Sequence, residues 1–509
     1  MWILLIKKEL IVSLFTQWYN RQKEREVCHM GIKGKTTFEL TDVNTGKVEV
    51  IEDSNMITNG LQEFLRTYGY FGCDILNNYT MRDNSLWVNL LGGLFLFDTA
   101  LDEDVNNTFM PAGVKMIGNG SKDVSNSGTV TELGSYNTTE SGLQSDGSIK
   151  LVYDFSTAQA NGTIACACLT SKIGGYIGMG NDSTMYLNTS YNLAEFLSDN
   201  IHICQSNIPG AENDTSHILY PVYSENAIYF TNPYNINYSS SYASQHWSTT
   251  KKIQILKVRA GFTGVSIKDR RYLDKVIATY DVDIPQDILD YMGTSTNYIT
   301  ISRDSERNVY VIFYKIILYG LDAGKYCWIM KIDKDMNATA YKFTNNVGKL
   351  LRLDCITFDG DYLWAFENIS PFYLYGIKYT DSTQIIETGV NKNNIYNLYT
   401  VEKNLIGIYD NYYDGDSYYA PTVYDVVNRT HRRVNGTISN NTYKLVPFPD
   451  KKGVYLYVYY SLSSSSTSPC SLKVMKDPRY LATINNLSEP VVKTSSKTMK
   501  VTYTLTFEE

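Results

Sequence analysis

Met30-Gly-Ile-Lys-Gly-Lys-Thr-Thr-Phe-Glu-Leu-Thr-Asp-Val-Asn-Thr-Gly-Lys-Val-Glu-Val-Ile-Glu-Asp-Ser-Asn-Met-Ile-Thr-Asn59 decides the fold, together with a near echo at the far end, Lys497-Thr-Met-Lys-Val-Thr-Tyr-Thr-Leu-Thr-Phe507. In the first stretch Thr37, Glu39 and Thr41 alternate with Phe38 and Leu40, Asn44-Thr45-Gly46 supplies a turn, and Val48, Val50 and Ile51 begin a return. Period-two apolarity around an Asn/Gly turn predicts a β-hairpin. The last stretch alternates Met499, Val501, Tyr503, Leu505 and Phe507 with Lys500, Thr502, Thr504 and Thr506, which predicts a strand with one buried face. Such a strand needs a sheet edge to bury it. The N-terminal hairpin is the natural partner, so the two ends of the chain are expected to share one layer. Caps at Ser54 and Asn59 followed by Leu61, Phe64 and Leu65 predict a short helix over about 58–69.

A chain of 509 residues exceeds what one core usually holds, and two or three domains are expected. Hydrophobic content of 43% with 19% charged residues is that of a globular protein. The net charge of −7 argues against nucleic-acid binding, which needs clustered Lys and Arg. Tyr is abundant at 43 copies, alongside much Asn and Ser. Tyr suits pleated surfaces and Asn suits turns, so the balance points to an all-β fold. Of the eight cysteines, only Cys166 and Cys168 are close in sequence, and alternation places both on one strand face. With no Cys-x-x-Cys pair and no nearby His, buried thiols are expected rather than a zinc site.

Residues 1–29 begin with an apolar run, Met1 to Ile6, that Lys7, Lys8 and Glu9 interrupt. It is too short to span a bilayer and has no small-residue cleavage site. Arg25-Glu26-Val27 is encodable as a purine-rich ribosome-binding sequence at a suitable distance before Met30. Met30 is therefore the expected natural start, and 1–29 a non-native extension. Residues 30–195 with 488–509 are expected to form a β-sandwich-like attachment domain.

Over 200–487 a pattern repeats, in which a strand ends in an acidic or polar turn and an aromatic-rich strand follows. Copies are Tyr220–Phe230, Ile299–Phe313, Cys355–Phe366, Tyr399–Tyr409 and Leu445–Tyr457, each trailed by a third strand such as Trp328–Ile332 or Tyr373–Tyr379. A spacing of roughly 40–50 residues with three or four strands per unit is the mark of a β-propeller blade. Five or six blades fit this span; tandem β-sandwiches are the alternative.

Candidate chemistry is sparse. His29, His202, His217, His246 and His431 are scattered, none near a nucleophile motif. Asp333-Lys-Asp335, Asp359-Gly-Asp361 and Asp414-Gly-Asp416 lack the further oxygen ligands of a calcium loop and read as turn formers. No enzyme activity, metal or cofactor is expected. The better lead is aromatic. Tyr412, Tyr413, Tyr418 and Tyr419 flank Asp414 and Asp416 in an expected loop, and Trp247 follows an Asn/Ser-rich stretch with Tyr234, Tyr238 and Tyr242. A flat ring covers the C–H face of a sugar while Asp and Asn take its hydroxyls. Ordinary loop packing is the competing explanation for the same residues.

The two quoted ends, with Gly134-Ser-Tyr-Asn-Thr-Thr-Glu-Ser-Gly-Leu143 and Tyr153-Asp-Phe-Ser-Thr-Ala-Gln-Ala-Asn-Gly-Thr-Ile164, resemble the virion structural proteins of tailed bacteriophages, in the tail-fibre, baseplate and receptor-binding class. The resemblance covers roughly residues 30–180 and the C-terminal 25 or so, not the middle, and carries no catalytic motif. It implies a virion protein of the tail, assembled in the host cytoplasm beside other tail or baseplate proteins. It also implies recognition of a host cell-surface glycan, as a homo-oligomer and without membrane insertion. A purely architectural tail component without ligand is the alternative, and a polysaccharide depolymerase a third.

Overall fold

The computed structural model describes residues 31–61, 91–122, 130–172, 185–187, 200–202, 218–231, 251–259, 276–293, 297–315, 320–392, 395–414, 416–436, 444–459, 471–476 and 480–508. The expected N-terminal extension lies outside them. So does the expected helix beyond Leu61, of which residues 59–61 form the first turn.

The first layer is one ten-stranded sheet. Its early strands are β1 (Gly31–Asp42), β2 (Val48–Ile57), β3 (Gly93–Phe97), β4 (Met116–Ser121), β5 (Ser135–Tyr136), β6 (Gly142–Leu143), β7 (Ile149–Phe155) and β8 (Gly162–Thr170). The chain returns to it with Thr483–Lys493 and Lys497–Glu508. The order is β4-β3-β8, then Thr483–Lys493, β2, β1, Lys497–Glu508, β7 and β5, with β6 beside β7. The last strand lies antiparallel between β1 and β7, with Gly31 opposite Glu508, Phe38 opposite Val501 and Val501 opposite Tyr153. The ends of the chain do zip together, and both closing strands take part. The sheet curls until Asn119 of β4 bridges Leu133 just before β5. It is thus a single near-closed sheet rather than the expected two-sheet sandwich, because a strongly twisted sheet this wide can cover its own apolar face by curling.

Alternation decides what the sheet encloses. Phe38 and Leu40 of β1 and Met499, Val501, Tyr503 and Leu505 of the last strand are all buried in one core with Leu151, Tyr153 and Leu94. Val48 and Val50 are exposed, since β2 meets Thr483–Lys493 only at Met56 and Ile57 and its first half is an edge. On the other face Phe95, Phe97, Cys166 and Cys168 pack beneath Leu101, Met110 and Val114. The two thiols share a strand face, with Sγ atoms 3.6 Å apart.

The second layer is a propeller-like arrangement of antiparallel meanders. Four are built mainly from consecutive strands; Gly320–Leu321 adds to the third beside Leu351–Asp359, and Met185–Leu187 runs parallel beside Thr430–Gly436 in the fourth. The first runs Ile218–Val222, Ala227–Thr231, Lys252–Arg259 and Val276–Asp283, and the second Asn297–Arg303, Val309–Lys315, Tyr326–Ile332 and Ala338–Thr344. The third runs Leu351–Asp359, Tyr362–Glu367, Phe372–Lys378 and Ile385–Lys392, and the fourth Ile395–Glu402, Leu405–Asp414, Asp416–Asp425 and Thr430–Gly436. A further sheet of Lys444–Phe448, Lys451–Tyr459 and Ser471–Lys476 takes its outermost strand, Asn200–His202, from the start of the region. The innermost strand of each sheet contacts that of the next, and the last, Lys444–Phe448, returns to the first, Ile218–Val222. That closed ring is what tandem sandwiches would lack. Every repeat copy read from the sequence falls on an innermost strand, its turn and the strand after it. Apolar residues of neighbouring sheets merge into shared cores, as when Phe313 and Met330 join Tyr220 and Ile255, and Trp364 and Phe366 join Ile408 and Tyr424.

Candidate functional site

The turns after the innermost strands gather at one end of the ring. Asn226, Arg307, Gly360 and Asn404 each take a left-handed backbone there, with φ of 49°, 69°, 55° and 65°. Asn and Gly suit that conformation, whereas Arg adopts it only against strain. Side chains of these turns stitch neighbouring meanders. The Asp450 carboxylate accepts the N–H groups of Tyr223 and Ser224 at 3.0 and 2.7 Å. Arg307 donates to Glu225 at 2.9 Å, the Asn404 N–H donates to Asp359 at 2.6 Å, and Lys452 pairs with Glu402 at 2.8 Å. Ser302 donates to the Ile356 carbonyl at 3.0 Å, and Thr357 and Thr400 share a hydrogen bond of 3.0 Å.

This belt carries shifted acidities. Burial pushes the Asp359 carboxyl up to about 7, with nearby Asp304 adding to the rise. Burial also raises Asp304, although Asn308, Glu306 and Tyr310 donate to it. Burial acts on Glu225 in the same sense, but hydrogen bonds from Lys257 and Tyr229 and the charge of Arg307 bring it below the usual range. The carboxylates hold backbone N–H groups and cations in place, so the belt closes the ring. Asp333 does the same on a smaller scale, taking the N–H groups of Asp335 and Asn337 at 2.9 Å each. Among the described residues no cluster of His, Cys, Asp and Glu is arranged to hold a metal ion.

The terminal sheet docks at the belt end. The Gly113 N–H donates to Asp425 at 2.9 Å, in the turn that also carries Val427. A Cβ on Gly453 would come within 2.7 Å of the Phe109 ring, so only glycine permits that approach. The opposite end of the ring therefore points away from the terminal sheet.

That far end carries the expected site residues. Tyr412, Tyr413 and Asp414 lie in strand Leu405–Asp414, and Asp416, Tyr418 and Tyr419 in strand Asp416–Asp425, which contradicts the expectation of a loop. The two strands pair without interruption, Asn411 opposite Tyr419, Tyr412 opposite Tyr418 and Asp414 opposite Asp416. Tyr favours extended backbone, so strand propensity carries the pairing on as far as Asp414 and Asp416. On one side the described part of the neighbouring strand begins at Ile395, opposite Asp410. On the other, pairing stops at Thr422 opposite Arg433, although that strand runs on to Gly436 beside Met185–Leu187. Residues 411–414 and 416–419 thus pair with each other as the far half of this hairpin. Trp247 lies outside the described residues.

One feature of the far end was not read from the sequence. A cleft of about 260 Å³ opens on the third meander between Glu367, Tyr373, Tyr375 and Glu387. Tyr373 and Tyr375 had been read only as part of a third strand. The signal was a pair of tyrosines two apart, but the carboxylates opposite them come from other strands, and only pairing reveals that.

No family model matches the chain, and no curated protein matches it. Among solved structures it is similar to U3-55K, with 10% identity and a TM-score of 0.23 over 48% of this chain and 62% of that one. The RRP9 WD40 repeats match with 11% identity and a TM-score of 0.24, again over 48% of this chain and 58% of that one. An oligogalacturonate lyase from Vibrio parahaemolyticus matches with 10% identity and a TM-score of 0.26, over 66% of this chain and 96% of that one. The chain spans less than two thirds of the first two proteins. Likeness this low says nothing of activity, and the propeller-like description rests on the strand order and ring contacts given above.

Proposed function

We propose that this chain is a structural protein of a tailed-phage virion, that its ring is a five-bladed β-propeller, and that the far end of the ring contacts glycan on the host surface. The terminal sheet is the attachment module to other tail or baseplate proteins. The observation that carries this reading is the polarity of the molecule. The sheet made from both chain ends, which holds the phage-like segments, sits against the belt end, while the tyrosine hairpin of residues 411–414 and 416–419 lies at the opposite end. An anchor at one end and an aromatic hairpin at the other suit a protein held by a particle and presented to a surface. Sugar contacts are individually weak, so the protein acts as a homo-oligomer in which avidity makes them useful.

Adsorption of the purified protein to host cells tests this. Binding is expected, with loss when surface polysaccharide is stripped. Tyr412→Ala with Tyr413→Ala is expected to weaken adsorption while leaving folding unchanged. Intact tail assembly with no adsorption would favour the purely architectural alternative, and release of reducing sugar would favour a depolymerase.

A further inference from the structure

The cleft on the third meander is built around a buried carboxylate. Glu367 ends strand Tyr362–Glu367 opposite Leu351 and is 7% exposed, yet its Oε2 has no hydrogen-bond partner. Tyr375 stands opposite Glu387 in the next strand pair, and Tyr373 is 37% exposed at the mouth. Burial, then the charges of Glu367, Glu387 and Tyr373 and a hydrogen bond to the Glu367 carboxylate, hold the proton on the Tyr375 phenol, so that carboxylate has one protein donor while its Oε2 has none. The Thr388 hydroxyl is already committed to the Leu374 carbonyl at 2.9 Å. Among the described residues lining the cleft Lys349 is the one cation, and it is exposed, whereas Glu367 is buried.

A carboxylate oxygen buried without a donor is costly, and a charged N–H donor compensates it best. Two tyrosine rings beside it favour a cation as well as the C–H face of a ring. The volume lies just under the range usual for drug-sized ligands, which fits a single small ring.

We propose that this cleft binds one amino-sugar unit, whose ammonium group donates to Glu367 Oε2 while its ring lies against Tyr373. The choice of a sugar rests on the glycan reading above; the requirement for a cationic donor rests on Glu367 alone. The cleft lies at the same end of the ring as the tyrosine hairpin and in the adjacent meander, whose core it shares through Phe366 and Leu374. A longer glycan is therefore able to engage both.

Titration calorimetry of the whole protein with glucosamine and with N-acetylglucosamine, in slightly acidic buffer, tests the proposal. Acetylation removes the charge and keeps the ring. Glucosamine is expected to bind at least about tenfold more tightly, and Glu367→Gln is expected to abolish that preference, since its amide turns a donor toward the ligand. Equal affinity for the two sugars, or an unchanged preference in Glu367→Gln, overturns the proposal. Should Glu367→Gln fail to fold, Tyr373→Ala at the exposed mouth replaces it and is expected to weaken binding of glucosamine at least about fivefold; unchanged binding would again overturn it. Absence of glucosamine binding in a protein that still adsorbs to host cells discards this cleft and leaves the glycan reading standing. Absence of both discards the glycan reading too.

Discussion

The terminal sheet and the ring solve the same problem, that of closing a β-structure, by opposite means. The sheet closes through backbone ladders between residues from opposite ends of the chain, as with Ile32 and Phe507 or Tyr503 and Leu151. The ring is laddered mainly within each meander and closes through side chains, at seams such as Asp450 with Tyr223 and Ser224, or Asp359 with Asn404. A ladder through the middle of a sheet is all or none, because losing one strand exposes the edges of two others. Seams are separate contacts, so damage to them is graded.

The contrast can be broken most directly at the last strand. Deleting residues 497–509 is expected to abolish folding of the terminal sheet, seen as loss of soluble protein or of one cooperative unfolding transition. Survival of that transition would show that β1 and β7 do not need the strand between them. Tyr503→Ala, fully buried, is expected to cost about 3–5 kcal/mol by chemical denaturation, the usual range for a large core aromatic. At the seam between the last and first sheets, Asp450→Ala leaves two backbone N–H groups without their acceptor. It is expected to cost about 1–3 kcal/mol in the ring transition and to leave the sheet transition unmoved.

Acidity sharpens the comparison with the smallest effects. Asp359 titrates at about 7 in the folded ring, above its ordinary 3.8. The folded state holds that proton more tightly, so the contribution is fully present below about pH 4 and lost as pH rises through 7. Lys493 in the terminal sheet is buried, donating to the Ser156 carbonyl and to Asn161 at 2.8 and 2.9 Å, and burial lowers it from 10.5 to about 8. Its charging penalty applies below pH 8 and is relieved as pH climbs toward 10.5. Raising pH from 5 to 8 is therefore expected to lower the ring's melting temperature, less so in Asp359→Asn. Raising it from 8 to 10 is expected to favour the sheet, less so in Lys493→Met. Identical slopes in wild type and variants would remove these groups from the account.

Much of this was legible in residue order. The alternation of Met499, Val501, Tyr503 and Leu505 named the buried face of the closing strand, and the turn-centred repeat named the inner strand pairs of the ring. The fourth strands, such as Ala338–Thr344, are half exposed and carry little apolar pattern, so a unit of three or four strands was expected but the fourth was not placed. The tyrosine hairpin was misjudged as a loop because Asp, Asn and Gly dominate its tip, although its tyrosines favour strand. The acidic turns were read as turn formers alone. That they also receive N–H groups and cations from a neighbouring meander depends on residues 45 to 227 positions away, as with Asp359 and Asn404 or Asp450 and Tyr223.

By itself the sequence determined what is local: period-two burial, turn chemistry, the repeat and the β class, because each is set by residues within a few positions of one another. Tertiary structure alone decided what is not local. It chose a curled single sheet over a sandwich, placed the docking contact at the belt end, and set Glu367 of one strand facing tyrosines of the next. Those outcomes depend on which edges meet and how far a sheet twists, and no short window of sequence encodes either.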